Sequence, residues 1–217
     1  KDTYLVGCGT AYHACLAGTY LFSKIAGRHV FTAPASQFNY LEDFLTKDSL
    51  IIPLSQSGET IDVIEPLSHA QKKGSKIIAI TNTPGSTIYR MGDHKLLLEA
   101  GPEKAVASTK AYLAKISILT ILAHALANQL QTGKQILNSS SKEIKRLLDK
   151  KSITQIKNIA KLLSKEDHIY IIGRGTSHAT ALEGALKIKE VSYIHAEGLS
   201  GGELKHGSIA LISKGTP

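Results

Sequence analysis

Apolar residues along the chain fall into short unbroken runs that alternate with stretches of helical spacing. The runs YLVG (residues 4–7), SLIIPLS (49–55), KIIAITN (76–82) and HKLLLEA (94–100) read as strands. Continuous apolar character over four to seven positions is what a parallel strand buried on both faces requires. Between them, TIDVIEPLSHAQKKG (60–74) has helical spacing and ends on Gly74, a C-terminal cap. The stretch AYLAKISILTILAHALANQL (111–130) is a long apolar helix and the most core-like segment. In KEIKRLLDKKSITQIKNIAKLL (142–163) the apolar positions keep helical spacing among many lysines, so it reads as a helix with a solvated face. Strands alternating with helices predict an α/β fold: a parallel sheet covered on both faces, a three-layer αβα sandwich with right-handed crossovers.

The pattern repeats. YLVGCGTAYHACLAG (4–18) slides onto YIIGRGTSHATALEG (170–184) by 166 positions, bringing Gly7, Gly9, Thr10 and Gly18 onto Gly173, Gly175, Thr176 and Gly184. Each copy runs from an apolar strand through a GxGT turn into a helix of small residues. By the same shift, the partner of the run 49–55 falls past residue 217, so the second copy is expected to be truncated, with one principal strand. The domain reading is a first copy over 1–133, a helical connector over 134–166 and the beginning of a second copy over 167–217.

Composition changes little in this picture. Hydrophobic residues make up 42% and charged residues 20% of the 217, ordinary values for a globular chain. No apolar stretch approaches the roughly 18 residues of a bilayer span, and the first ten residues lack a signal-peptide layout. Cys8 and Cys15 show no disulfide or metal spacing, so free thiols in a reducing cytoplasm are expected. The net charge of +8 comes from scattered basic residues. It suits an anionic small molecule and gives no nucleic-acid stripe.

Ligands of an open parallel sheet bind beyond the carboxyl ends of its strands, and three loops of the first copy fall there. GCGTA (7–11) offers glycines and a helix N-terminus, a weak signal, because many such turns only pack helix on strand. SQSGET (55–60) offers Ser55, Gln56, Ser57 and Thr60 within six positions at a helix start. A phosphate monoester needs such converging short donors. The bland alternative is an ordinary N-cap made by Ser57 or Thr60; the absence of a following lysine disfavours a nucleotide P-loop. In GPEKAVASTKAY (101–112), Ser108 and Thr109 read equally well as caps or as ligand contacts.

GCGTAYHA, SQSGET, PEKAVASTKAY and above all ALEGALKIKEVSYIHAEGLSGGELKHG (181–207) resemble the isomerase half of the glutamine–fructose-6-phosphate aminotransferases, or glucosamine-6-phosphate synthases, a tandem pair of SIS (sugar isomerase) domains of flavodoxin-like architecture. The resemblance runs in order along nearly the whole chain. SQSGET alone would mark only an SIS domain; VASTKAY with the long second-copy segment is specific to these enzymes.

The resemblance implies that Thr10, Ser55, Gln56, Ser57 and Thr60 hold the phosphate and sugar hydroxyls, with Val106, Ala107 and Ser108 closing over the sugar. The position after Thr10, commonly serine in the family, is Ala11 here. Glu190 is implied as the base that moves a proton between C1 and C2, with Lys187, three residues earlier on the same helix face, in the same site. Without the resemblance this pair reads as a routine surface ion pair. His206 is implied as the ring-opening residue, reaching the neighbouring subunit's site in a homodimer. Further implications are fructose 6-phosphate and glucosamine 6-phosphate as ligands, no metal or other cofactor, a separate glutaminase domain in the full enzyme, a lysine-bearing tail outside this chain, and no nucleic-acid or membrane partner. Two other readings stay open: another SIS isomerase or deaminase, which would lack VASTKAY and GELKHG, and a non-catalytic sugar-phosphate sensor, which would lack the glutamate at 190.

Overall fold

The computed structural model describes residues 2–217, which form two compact units, one ending at Ala123 and the other His124–Pro217.

The first unit is built on five parallel strands, β1 (Thr3–Gly7), β2 (Phe31–Pro34), β3 (Leu50–Ser55), β4 (Lys76–Thr81) and β5 (His94–Leu97), in the order β2-β1-β3-β4-β5. Its helices are α1 (Thr10–Ala26), the short α2 (Ala35–Phe38), α3 (Ile61–Lys72), the short α4 (Thr87–Met91) and α5 (Lys110–Leu126). Side chains of a strand alternate between faces, and the core divides accordingly. Leu5, Ile52, Leu54 and Ile80 pack with Ala14, Cys15 and Phe22 of α1 and Leu119 of α5. Tyr4, Val6, Ile51 and Ile77 pack on the other face with Phe38, Val63, Leu67 and Ile88. This is the expected three-layer sandwich. The helix α3 closes as predicted at Gly74, whose φ of 75° lets its N–H reach Gln71 O while Ser75 N–H reaches Ala70 O, the paired bonds of a Schellman cap.

Four elements were not expected from the hydrophobic runs: β2, α2, α4 and the last strand of the second unit. The segment FTAP of β2 is a sheet-edge strand, half-exposed and proline-ended, so it lacks the apolar run that marks its neighbours.

The second unit comprises α6 (Leu130–Leu147), α7 (Lys150–Leu163), β6 (His168–Gly173), α8 (Thr176–Ser192) and β7 (His195–Ser200), with two 3₁₀ turns beyond. The basic stretch 142–163 is two helices: Asp149 breaks it, its carboxylate accepting the Ser152 N–H at 2.7 Å as an N-cap. The repeat extends past its motif. Helices α1 and α8 both run 17 residues between equivalent positions. Gly9 and Gly175 precede them at φ 51°, ψ −123° and φ 57°, ψ −131°, where an L side chain is strained. Left-handed residues end them both, Gly27 at φ 59° and Tyr193 at φ 62°. The second copy has two parallel strands rather than the one expected. Its β6–β7 register, Tyr170 opposite Glu197 and Gly173 opposite Ser200, repeats Tyr4 opposite Phe31 and Gly7 opposite Pro34. HAEGLS hides this strand because it is polar and glycine-containing. Tyr170 N–H also donates to Pro217 O at 3.1 Å, the place that Ile51 takes opposite Tyr4.

Candidate active site

At the carboxyl ends of β1 and β3 the first unit has a cavity of about 200 Å³, reached by Thr10, Ser55, Gln56, Ser57, Thr60 and Ser108. That is below the roughly 300–1,000 Å³ of pockets for drug-sized ligands and suits a compact polar group. Local structure explains the convergence. Ser55 ends β3 and is buried; its hydroxyl accepts the Gly58 N–H at 3.0 Å and lies 3.1 Å from the Thr60 hydroxyl. The turn between them needs glycine at 58: φ is 71°, and a Cβ there would stand 2.0 Å from Ser86 Oγ and 2.5 Å from Ser86 Cβ. Ser57 accepts the Glu59 N–H at 3.2 Å.

Thr60 occupies the N-cap position of α3, yet its side chain makes no capping bond. The Thr60 hydroxyl faces Ser55 instead, so the α3 N-terminus keeps its uncapped N–H groups and positive end beside the cavity. Thr10 sits at the first turn of α1, after a similarly uncapped Gly9.

Ser108 lines the cavity, with its hydroxyl 3.4 Å from a Glu103 carboxylate oxygen. The first bonds of α5 go to the Thr109 carbonyl. Val106, 97% exposed, and Ala107 lie on the preceding segment and do not line the cavity. Cys8 does line it, its thiol pushed up by burial; Cys15 lies deeper, where burial holds its thiol at about 12. Both cysteines are free.

In the second unit α8 presents a charged row that the sequence reading found only in part. Lys187 Nζ donates to Glu190 Oε2 at 2.5 Å and stands 3.5 Å from Glu183 Oε1. The side chains of Lys187 and Glu183 are 18% and 8% exposed, that of Glu190 27%, so this is not the solvated pair that spacing alone suggests. Glu183 was missed; its signal was the i, i+4, i+7 row 183–187–190 within ALEGALKIKE. His206 follows the 3₁₀ turn Glu203–Lys205, its N–H bonded to Glu203 O and its side chain exposed.

Lys115 was also missed, because it sits inside the apolar helix read as core. It is 1% exposed and lines the same cavity as Ser55 and Thr60.

A parallel αβα unit with a hydroxyl-rich turn after its central strand is the architecture of a sugar-isomerase-type domain. The SIS domain model matches residues 1–125 and 162–217, and the chain belongs to this family. It is 46% identical, over 98% of its length, to the glutamine–fructose-6-phosphate aminotransferase (isomerizing) of Clostridium tetani strain E88. The same enzyme of Bacillus subtilis strain 168 is also 46% identical, over 99% of the chain. The matched part is 36% of each relative, so the chain spans about a third of the curated relatives' length. Among solved structures, the C-terminal domain of glucosamine-fructose-6-phosphate aminotransferase from Francisella tularensis superposes with a TM-score of 0.86 at 36% identity, covering 100% of this chain and 63% of that one. A Thermotoga maritima glucosamine-6-phosphate deaminase shares the fold, with a TM-score of 0.79 at 24% identity. Among the described residues, no helix is long and apolar enough to cross a membrane.

Proposed function

We propose that this chain is the phosphosugar-handling region of a glutamine–fructose-6-phosphate aminotransferase, acting in the cytoplasm on fructose 6-phosphate. The observation that carries the reading is the cavity that gathers Thr10, Ser55, Gln56, Ser57, Thr60 and Ser108 beside the N-terminus of α3. Short hydroxyl donors and a helix dipole stabilise a dianionic phosphate without a metal or a P-loop lysine.

The overall conversion takes fructose 6-phosphate and ammonia to glucosamine 6-phosphate and water. Once ammonia has replaced the C2 oxygen, the Glu190 carboxylate takes a proton from C1. The C–H electrons form the C1–C2 double bond while the C2–N double-bond pair moves onto nitrogen, which takes up a proton; the C1 hydroxyl then loses its proton to become the aldehyde oxygen as the C1–C2 pair takes the returning proton at C2. Lys187, held between Glu183 and Glu190, fixes the carboxylate's direction. His206 serves ring opening from a partner subunit, and a glutaminase domain elsewhere in the polypeptide supplies ammonia.

Titration calorimetry of fructose 6-phosphate against the wild-type chain and a Ser55→Ala/Thr60→Ala variant tests the phosphate site. The double change should weaken binding about tenfold or more, from the loss of two hydrogen bonds to a charged group. A variant that binds as well as the wild type but melts earlier would return Ser55 and Thr60 to a purely structural role.

A further inference from the structure

Within SQSGET, Ser55, Gln56, Ser57 and Thr60 line the cavity and Glu59 does not. A carboxylate in a loop that gathers donors for an anion is a like charge at short range, which weakens such a site unless the charge is turned away and matched. Glu59 is turned toward α4. Its Oε1 accepts the Thr87 N–H at 2.8 Å, and the next amide, Ile88 N–H, donates to Gly58 O at 2.9 Å. These are the first two N–H groups of α4, which have no acceptor within their own helix. Ser86 stands at the N-cap position but makes no capping bond; its hydroxyl donates to Thr83 O at 2.8 Å instead. The cap of α4 therefore comes from residues 58 and 59, across the fold. Gln56 O accepts the Asn82 N–H at 3.1 Å, a third bond from the same loop to the segment after β4. Arg90 Nη2 donates to the Thr87 hydroxyl at 2.9 Å, and the guanidinium also donates to Gly85 O. Thr87, first through its hydroxyl and then through its N–H, and after it the charge of Arg90, hold the Glu59 carboxyl below the usual carboxylate range.

We propose that Glu59 is a positioning residue of the phosphate site: by capping α4 from within the loop, it holds the turn 55–60 in the shape that gathers Ser55, Ser57 and Thr60 around the cavity. This rests on the phosphosugar reading and adds to it a residue that touches no ligand. It also makes α4 part of the same unit. Coupling between two places is reciprocal, so a phosphate that orders the loop must also hold the Thr87 and Ile88 N–H groups more firmly, although neither residue lines the cavity.

The test is calorimetry of inorganic phosphate and of fructose 6-phosphate with the protein expressed from its complete reading frame and with its Glu59→Ala and Glu59→Gln forms. Alanine offers no acceptor and should raise both Kd values about fivefold, the effect of one lost helix cap. Glutamine keeps a carbonyl oxygen for the Thr87 N–H and should bring both values back to within about twofold of the wild type. Unchanged Kd values in Glu59→Ala overturn the positioning role, even if the variant melts earlier, and leave the phosphosugar reading standing. Binding as weak in Glu59→Gln as in Glu59→Ala overturns it as well, because the charge and not the cap would then be at work. A wild-type protein that binds neither ligand overturns the phosphosugar reading and this role with it. Should Glu59→Ala not fold, hydrogen exchange of the wild type, read by mass spectrometry on peptides covering residues 86–91, answers alone. Saturating phosphate must slow that exchange, and an unchanged rate overturns the proposal.

Discussion

Helices α1 and α8 begin and end at equivalent residues, follow the same GxGT turn and close with a left-handed residue at the same place, yet they bury opposite chemistry. Ala17 of α1 is buried, and Leu21 packs against an apolar core that includes Leu119 of α5. The equivalent positions of α8 are Glu183 and Lys187, and Glu190 stands where α1 has the exposed Lys24. The turns after the strands divide the other way: the first copy places buried Ser55 and its neighbours around a cavity, while the charged row belongs to the second. A duplicated strand–turn–helix unit has been specialised. One copy gathers hydroxyls around a cavity, and the other carries a row of ionisable side chains.

The comparison can be broken at several points. Gly58→Ala should have the largest effect on stability, about 2–3 kcal/mol, because the residue must hold a positive φ and its Cβ collides with the buried Ser86. A urea denaturation series measures it, and fructose 6-phosphate affinity should fall with it. Lys187→Leu restores the residue type of the first copy but strips Glu183 and Glu190 of their shared cation. A loss of about 1–2 kcal/mol is expected, less than for a fully buried pair because solvent still reaches the row. A gain would show that the row is no network.

Asp93 sharpens the first copy alone. The Ile77 N–H at 2.8 Å, and then Lys76 Nζ at 3.0 Å, hold its carboxyl below the usual carboxylate range. A group depressed in the folded state stabilises at neutral pH, and that share is lost as pH falls below the ordinary carboxylate value and through the folded one. Asp93→Asn should therefore cost roughly half a kcal/mol at pH 7, after allowance for screening, and should flatten the acid limb of the unfolding curve. The smallest effect is a gain. Tyr193, 91% exposed and at φ 62°, occupies the place of Gly27. Tyr193→Gly should stabilise the second unit by about 0.5 kcal/mol, by relieving a left-handed side chain.

Much of this was legible in the residues because burial on both faces writes itself as apolar runs: β1, β3, β4, β5, α1, α3 and α5 all announce themselves. The elements that stayed hidden lack that imprint. β2 is a half-exposed edge strand of four residues, and β7 carries alternating polar and small residues over HAEGLS. In the site, SQSGET and the pair Lys187–Glu190 stood out by composition and spacing. Lys115 did not, since one lysine in a long apolar helix looks like a solvated edge until the fold shows which stripe faces inward. Glu183 was hidden for a related reason: sequence alone does not say which face of α8 is buried.

The central claim is that the second copy moves the proton while the first holds the phosphate. Proton-NMR detection of deuterium uptake at C1 of fructose 6-phosphate in heavy water tests it most directly, with the protein expressed from its complete reading frame and with its Glu190→Gln form. Removing the base should slow the exchange by about 10²–10⁴-fold with the sugar-phosphate Kd unchanged. Exchange at the wild-type rate in Glu190→Gln would contradict the assignment of proton transfer to α8.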